Sequence, residues 1–135
     1  MYEFPLQTYL RNARKLEKLV ALALAEPALN LSQYRLLAEF TVHDTQTVST
    51  LSTRLDITRP SVTQLVKQLQ SMGLLRTQPD PDDQRSKRLS LTRDGKMRLK
   101  IANEYLAGLS RRLAKNCTPE QLNLLQNLEI RPGNS

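Results

Sequence analysis

Short polar side chains between positions 61 and 68 are the groups in this sequence best suited to chemistry. Hydroxyls, amides and an ammonium group are the donors and acceptors that contact base edges and phosphates in nucleic-acid-binding proteins. A purely structural helix would more often carry Glu and Lys pairs on its outer face, although a merely solvated face is the alternative for this stretch taken alone. The residues are Ser61, Thr63, Gln64, Lys67 and Gln68.

The apolar residues of the same stretch predict a helix that presents these polar groups on its opposite face. Thr58 is suited to cap this helix, Pro60 fits its first turn because no amide donor is needed there, and Gly73 ends it. The apolar residues recur at steps of three and four, the spacing of one helix face: Val62, Leu65, Val66, Leu69 and Met72.

A shorter helix is predicted immediately upstream. Val48, Leu51 and Leu55 form an amphipathic stripe, and Thr47 is its candidate cap. Residues 55–57 then form a tight connection into the next helix. Two short helices joined in this way, the second polar at its N-terminal end, form the helix-turn-helix arrangement.

A charged hairpin is predicted downstream. Residues 74–78 and 88–91 can pair as short strands, and the sequence PDPDDQRSK between them favours a turn. Arg85 and Lys87 lie near its tip, where a basic side chain can enter a narrow minor groove. We expect at least one aspartate of this turn to hold Arg85, or an arginine of a strand, in position. The aspartates are Asp80, Asp82 and Asp83.

The segments LDITRPSVTQLVKQLQSMGLL and DPDDQRSKRLSLTRDG resemble the multiple antibiotic resistance regulator (MarR) family of winged-helix repressors. The resemblance covers about residues 31–95 in motif and the flanking helices in layout. Ser52 stands where a small apolar residue is usual, which predicts slightly looser packing under the recognition helix. The family's wing pattern is Asp-x-Arg followed by Leu-x-Leu-Thr-x-x-Gly, and here it falls on Asp83, Arg85, Leu89, Leu91, Thr92 and Gly95.

Helices are also predicted on both sides of this unit. Residues 6–25 hold helical spacing, a second helix is capped by Ser32, and residues 41–47 form a polar loop. After the wing, Thr92 caps a long helix over residues 93–116. The last helix opens with a cap, a proline at the first helical position and a capping-box glutamine, which are Thr118, Pro119 and Gln121.

The first helix and the last two carry apolar stripes that a compact winged helix cannot cover. Apolar area left in water is unfavourable by about 25 cal/mol per Å², and contiguous apolar patches mark interfaces. A second copy related by two-fold symmetry is the simplest cover, and the alternative is a monomer that folds these helices back on itself. The resemblance implies the same dimer, since members of that family dimerise through their terminal helices.

The expected fold is mostly α (α+β), a winged helix-turn-helix with flanking N- and C-terminal dimerisation helices. We assign residues 1–30 to the N-terminal helix of the dimerisation lobe and residues 31–92 to the DNA-binding domain. Residues 93–135 form the long connecting helix and the C-terminal helix of the lobe.

Charge points to a polyanionic partner. The net charge is +7, and residues 54–100 hold 11 Lys and Arg against 5 Asp, an excess of six around the predicted DNA-binding unit. Cys117 is the only cysteine, so no intrachain disulfide forms and a reducing compartment is expected. The sequence shows neither a membrane span nor a signal peptide, and we expect a cytoplasmic protein.

These features predict a homodimeric regulator, most simply a repressor, of a pseudo-palindromic operator in double-stranded DNA. Recognition helices would enter the major groove at half-sites about one helical turn apart. Side chains expected near base edges are Arg59, Ser61, Thr63 and Gln64. Cations expected on the backbone or in the minor groove are Arg54, Lys67, Arg85, Lys87 and Lys96.

The resemblance also implies a small effector, often phenolic or anionic, bound between the dimer helices and the winged helix. Such binding would couple the effector to DNA. A redox role for Cys117 is disfavoured because the C-terminal end of a helix destabilises a thiolate. The candidate lining residues are Tyr9, Arg14, Tyr34 and Tyr105.

Two other classes of protein fit the sequence less well. A winged helix can serve as a protein-interaction module without a specific DNA site, but the clustered positive charge and the polar recognition face disfavour this. An enzyme lacks support, since no catalytic constellation, glycine-rich phosphate loop or metal-ligand spacing occurs. His43 beside Asp44 is insufficient for a metal site, and neither a metal nor another cofactor is expected.

Overall fold

The computed structural model describes residues 2–82 and 87–131. In this part of the chain it has six α-helices and one two-stranded antiparallel sheet, so the expected winged helix-turn-helix fold is confirmed. A short 3-10 turn, Glu39–Thr41, extends the second helix. The elements in chain order are α1 (Leu6–Ala25), α2 (Leu31–Ala38), α3 (Val48–Leu55), α4 (Arg59–Ser71), β1 (Leu75–Pro79), β2 (Lys87–Leu91), α5 (Arg93–Ala114) and α6 (Pro119–Asn127).

The winged helix packs around one apolar core, to which α1 and α5 also contribute. The predicted inner face of α4 is buried at Val62, Val66 and Leu69. Burying a side chain of this size contributes about 1.5–3 kcal/mol, so these contacts set the position of α4 against its neighbours. The other large, fully buried side chains come from the end of α1, from α2 and α3, and from the sheet region: Leu24, Leu36, Leu37, Leu51, Leu74 and Leu89.

Side-chain caps begin most of the helices as predicted. A threonine hydroxyl accepts from the backbone amide three residues later at the starts of α3, α4, α5 and α6. The prediction for α2 was wrong. Asn30, and not Ser32, caps that helix, because Asn30 and Gln33 each accept from the other's backbone amide in a capping box.

The turn between α3 and α4 depends on local groups. Asp56 adopts a left-handed conformation with φ of 54°, which aspartate tolerates better than most residues. The Ser52 hydroxyl donates to the carbonyl of Ile57 at 2.6 Å. The sequence-based expectation at Ser52 concerned packing and missed this hydrogen bond, which closes the turn before the recognition helix.

The wing strands are displaced by one residue from their predicted starts. Strands β1 and β2 pair in the register Leu75↔Leu91 to Pro79↔Lys87. Leu74 is not part of the ladder, because its amide bonds to the Leu69 carbonyl and its own carbonyl accepts from Thr92. Residues 42–47 form a loop as predicted, apart from one isolated bridge in which Gln46 pairs with Leu89 through both backbone groups.

The long helix α5 connects the winged helix to the chain termini. It ends at Ala114, two residues before the predicted end. Helix α1 packs along it, and the Arg98 guanidinium donates to the Pro27 carbonyl at 2.9 Å. Helix α6 has no buried residue. The described chain therefore does not fold its last helix back onto its own core.

Candidate nucleic-acid interface

The outer face of α4 presents three side chains that are free to bind. Thr63, Gln64 and Lys67 are exposed. None of the hydrogen bonds or ion pairs of the described residues involves them, so their donors and acceptors are available to a partner. They lie on the face opposite Val62, Val66 and Leu69, which packing holds against the core.

The other polar groups at this helix are engaged within the protein. The Ser61 and Thr58 hydroxyls lie 2.8 Å apart, and the Arg59 guanidinium donates to the Ser49 hydroxyl at 3.0 Å. Gln68 is half-buried and accepts from the Gln33 amide at 3.2 Å. Gln33 must donate through its nitrogen there, because its oxygen already accepts from Asn30 in the capping box.

The predicted phosphate-binding cations lie in different places. Arg54 is on α3 and forms an ion pair with Glu39 at 3.8 Å. Lys96 is on α5 and lines a groove with Thr41 and Asp44, whereas Ser61 and Gln64 line another groove. The structure does not bring Lys96 together with the polar face of α4.

The base of the wing is held by ion pairs. The Arg88 guanidinium lies 3.5 Å from Asp80 and 3.8 Å from Asp82, which confirms that aspartates of the turn hold a strand arginine. Lys87 is exposed at the start of β2. The predicted wing residues Asp83 and Arg85 lie outside the described residues.

Gln46 is a buried polar residue that the sequence reasoning missed. Its side chain is 4% exposed, and its amide nitrogen donates to the Glu39 carbonyl at 2.5 Å. Since its backbone also pairs with Leu89, it joins the 3-10 turn to the wing strand. No local pattern distinguishes Gln46 from the other polar residues of this loop.

The four candidate effector-binding residues are not brought together within one protomer. Tyr9 packs against Phe4 with ring centroids 4.9 Å apart, and Arg14 is exposed on α1. The Tyr34 hydroxyl donates to Asn103 at 2.7 Å, and burial raises the pKa of this phenol. Tyr105 lines a groove of about 600 Å³ between α1 and α5.

The described part of the chain contains no cluster of three or more His, Cys, Asp or Glu side chains that could hold a metal ion. His43 is exposed on the loop before α3. None of the described helices has the length and apolar character needed to cross a membrane.

Comparison with solved structures gives strong matches over nearly the whole chain. MarR from E. coli in its apo form is 20% identical, with a TM-score of 0.79 over 93% of this chain and 94% of that one. A mutant MarR from E. coli complexed with operator DNA is 21% identical, with a TM-score of 0.81 over 91% and 89% of the two chains.

A third structure matches somewhat more closely in sequence. The transcriptional regulator MOSR of M. tuberculosis, solved in complex with DNA, is 26% identical, with a TM-score of 0.72 over 93% and 92% of the two chains. Comparison with curated protein sequences gives no match.

The fold is that of a winged helix-turn-helix protein, with an exposed polar face on α4. Residues 29–86 match the model of the MarR family, and the fold matches extend the likeness to the flanking helices. The helix-turn-helix region of the chain is therefore similar to the MarR family, and the solved structures that share its fold include two in complex with DNA.

Proposed function

We propose that the protein is a homodimeric, sequence-specific transcriptional repressor that binds a pseudo-palindromic operator. The observation that carries this proposal is the outer face of α4, where Thr63, Gln64 and Lys67 are exposed and unengaged on a helix whose inner face is locked in the core. The operator complex of the E. coli MarR mutant supports the proposal by fold.

The major groove is the natural site for this helix. Gln64 can bond an adenine through two hydrogen bonds, and Thr63 can contact a base edge or a thymine methyl group. Ser61 lies one helical turn before Gln64 on the same face of α4. Its hydroxyl would reach a base edge once it rotates away from the Thr58 hydroxyl. Lys67 and Arg54 would neutralise phosphates, as would Lys96 where the duplex extends towards α5.

The wing is proposed to contact the minor groove. Lys87 is exposed beside Arg88, whose ion pairs with Asp80 and Asp82 anchor the base of the hairpin. Arg85 would enter the groove from the tip, with Asp83 supporting it. Replacing Arg85 with alanine should weaken operator binding and leave the dimer intact, and an unchanged affinity at moderate salt would reject this role.

A second copy is proposed to cover the terminal helices. Leucines of α1 and α6 are open to solvent, among them Leu22 at 74% and Leu124 at 70% exposure. Because operators of two-fold symmetry are read by two-fold dimers, this interface would also set the distance between the two recognition helices. Residues 1–30 and 93–135 would form the dimerisation lobe and residues 31–92 the DNA-binding domain.

Regulation by a small phenolic or anionic effector is proposed at the junction of lobe and winged helix. A groove of about 530 Å³ lies there, and its lining includes the apolar Phe40 and Leu99 and the basic Lys96 and Lys100. Tyr34 lies beside it through its contact with Asn103. Only in the dimer would Tyr9, Arg14 and Tyr105 contribute to this site. The protein would act on DNA in the cytoplasm.

Selection of bound sequences from random duplex DNA by the purified protein tests the central proposal. We expect an enriched inverted repeat whose half-sites are about one helical turn apart. Gln64→Ala should relax the preference at one position of each half-site. Enrichment of a single unrepeated site would reject the dimeric mode, and no enrichment would favour a protein-interaction module.

A further inference from the structure

The side chain of Arg59 leaves the recognition helix and lies against the helix before it. Its Nη2 atom donates to the Ser49 hydroxyl at 3.0 Å. Arg59 is the first residue of α4 and Ser49 is the second residue of α3, so one side chain bridges both helices of the helix-turn-helix unit. Both residues are exposed, and burial therefore does not account for the contact.

The pair presents an excess of hydrogen-bond donors. A guanidinium has five N–H donors and no acceptor, so the bond to Ser49 leaves four of them. The Ser49 hydroxyl accepts from Arg59 and remains able to donate its own proton. No carboxylate lies within ion-pair distance of Arg59 in the described part of the chain. The group that complements this arrangement is an acceptor-rich anion.

We propose that Arg59 and Ser49 clamp one backbone phosphate of the bound DNA, and that Arg59 contributes affinity rather than base readout. In helix-turn-helix proteins the first helix crosses the sugar-phosphate backbone while the second enters the groove. A guanidinium held on α3 is thereby directed towards the backbone. This reassigns Arg59 from the base-reading set expected from the sequence, and it rests on the proposed DNA-binding function.

Ser49 is a positioning residue in this clamp. An exposed arginine samples many rotamers, and ordering it on binding is costly. The bond to Ser49 selects one direction for the guanidinium before DNA arrives. Loss of the hydroxyl should therefore weaken DNA binding only while the guanidinium is present, which a purely structural role for Ser49 would not predict.

A double-mutant cycle on the selected operator tests the clamp. Binding of wild type, Arg59→Ala, Ser49→Ala and the double variant is measured by fluorescence anisotropy over a range of KCl concentrations. A panel of duplexes carries single base-pair changes in the half-site. Gln64→Ala serves as the matched base-reading control, and thermal melting followed by circular dichroism confirms folding.

We expect Arg59→Ala to weaken binding to every duplex of the panel by a similar factor, about tenfold, as for a charge-assisted hydrogen bond. The salt slope should fall by about 0.9 for each phosphate released, hence by about two for both half-sites. Ser49→Ala should lower DNA-binding affinity about threefold in the wild type and should lower it no further in the Arg59→Ala background. Arg59→Lys should retain the slope but lose the response to Ser49→Ala.

Other outcomes overturn the clamp. A loss confined to one base pair, with an unchanged salt slope, would make Arg59 a base reader. Additive effects of the two alanine changes would remove Ser49 from the clamp. Wild-type protein that binds all duplexes equally would reject the proposed specificity but leave the clamp standing if Arg59→Ala still lowers the slope, whereas absence of any DNA binding would reject both.

Discussion

The winged helix and the terminal helices leave their apolar side chains in different environments. In the winged helix, the leucines of α2, α3 and α4 that face inward are buried, with Leu36, Leu37 and Leu69 completely inaccessible. In α6 every residue is exposed. Leu124 of α6 is 70% exposed although it belongs to the same residue type and the same kind of helical pattern.

The two regions therefore differ in what completes their apolar packing. The winged helix completes its core within the protomer, so its stability depends on the protomer alone. The terminal helices hold apolar surface that a single protomer leaves in water, at about 25 cal/mol per Å². We infer that their stability depends on concentration, as expected of an obligate interface.

The largest effect is expected at the terminal helices. Leu125→Glu in α6 should raise the dimer dissociation constant about 100-fold or more, because about 1.5–3 kcal/mol of burial is lost in each of two copies. Analytical ultracentrifugation measures this shift. Asn123→Glu places the same charge on the polar side of α6 and should leave the dimer intact; equal effects of the two changes would refute an interface along the leucine side.

Two glycines of α5 test the contrast within one helix. A Cβ at Gly95 would lie 2.1 Å from the carbonyl oxygen of Leu74, a backbone atom that cannot yield without moving the wing. Gly95→Ala should therefore destabilise the protein by about 3 kcal/mol, measured by urea unfolding.

Gly108 is the matched control for Gly95. A Cβ there would meet only the tip of Arg111 at 3.9 Å, and replacing a helical glycine with alanine usually stabilises by about 0.5–1 kcal/mol. Gly108→Ala should raise protomer stability. If Gly108→Ala instead weakens dimerisation, a helix of the partner packs closely against Gly108, which would place this part of α5 in the interface.

Removing one cation from the recognition helix should affect DNA binding and leave the dimer unchanged. Lys67→Ala is expected to weaken binding roughly tenfold, similarly for all sequences, and to lower the salt slope. Anisotropy titrations at several salt concentrations measure both quantities. A selective loss at one base pair would make Lys67 a base reader, and a loss of dimer would contradict the independence of the two regions.

The smallest effect is expected where the two regions meet. Tyr34→Phe removes the bond to Asn103 that joins α2 to α5, and it should cost about 0.5–1 kcal/mol of unfolding free energy at neutral pH. Burial raises the pKa of Tyr34. The phenol therefore contributes its full share to the free energy of unfolding below the ordinary tyrosine pKa. That contribution is lost as the pH rises through the raised pKa of the folded state.

The pH dependence provides its own check. The stability difference between wild type and Tyr34→Phe should stay constant through neutral pH and shrink in alkaline solution. Comparing the two proteins removes the contribution of other groups that titrate there. A difference that persists unchanged at the most alkaline pH where both fold would show that the phenol does not ionise in this range.

Local chemistry explains why much of the fold was predictable. Thr47, Thr58 and Thr118 accept amide bonds only three residues away, and Gly73 adopts a φ of 76° at the end of α4. Such interactions depend on neighbours in the sequence. The error at α2 also had a local signal, because Asn30 is followed by Gln33 with the spacing of a capping box, whereas Ser32 is followed by Arg35.

The candidate site was less predictable, because its deciding contacts are distant in sequence. Thr63, Gln64 and Lys67 were identifiable from helical spacing alone. The bonds of Arg59 to Ser49 and of Gln68 to Gln33 join different helices and carry no periodic signal. They decide which side chains of the polar set point freely outwards and which are held against a neighbouring helix.

By itself, the sequence determined the helices, their caps, the wing and the face of α4 that points outward, since each follows from groups within a few residues of one another. Only the tertiary structure decided that Arg59 turns back to α3 and that Gln46 joins the wing strand to the 3-10 turn, and it excluded the alternative in which α6 folds back on its own protomer. The physical reason is that hydrogen bonds and burial between elements depend on how those elements pack, and packing is a property of the whole chain.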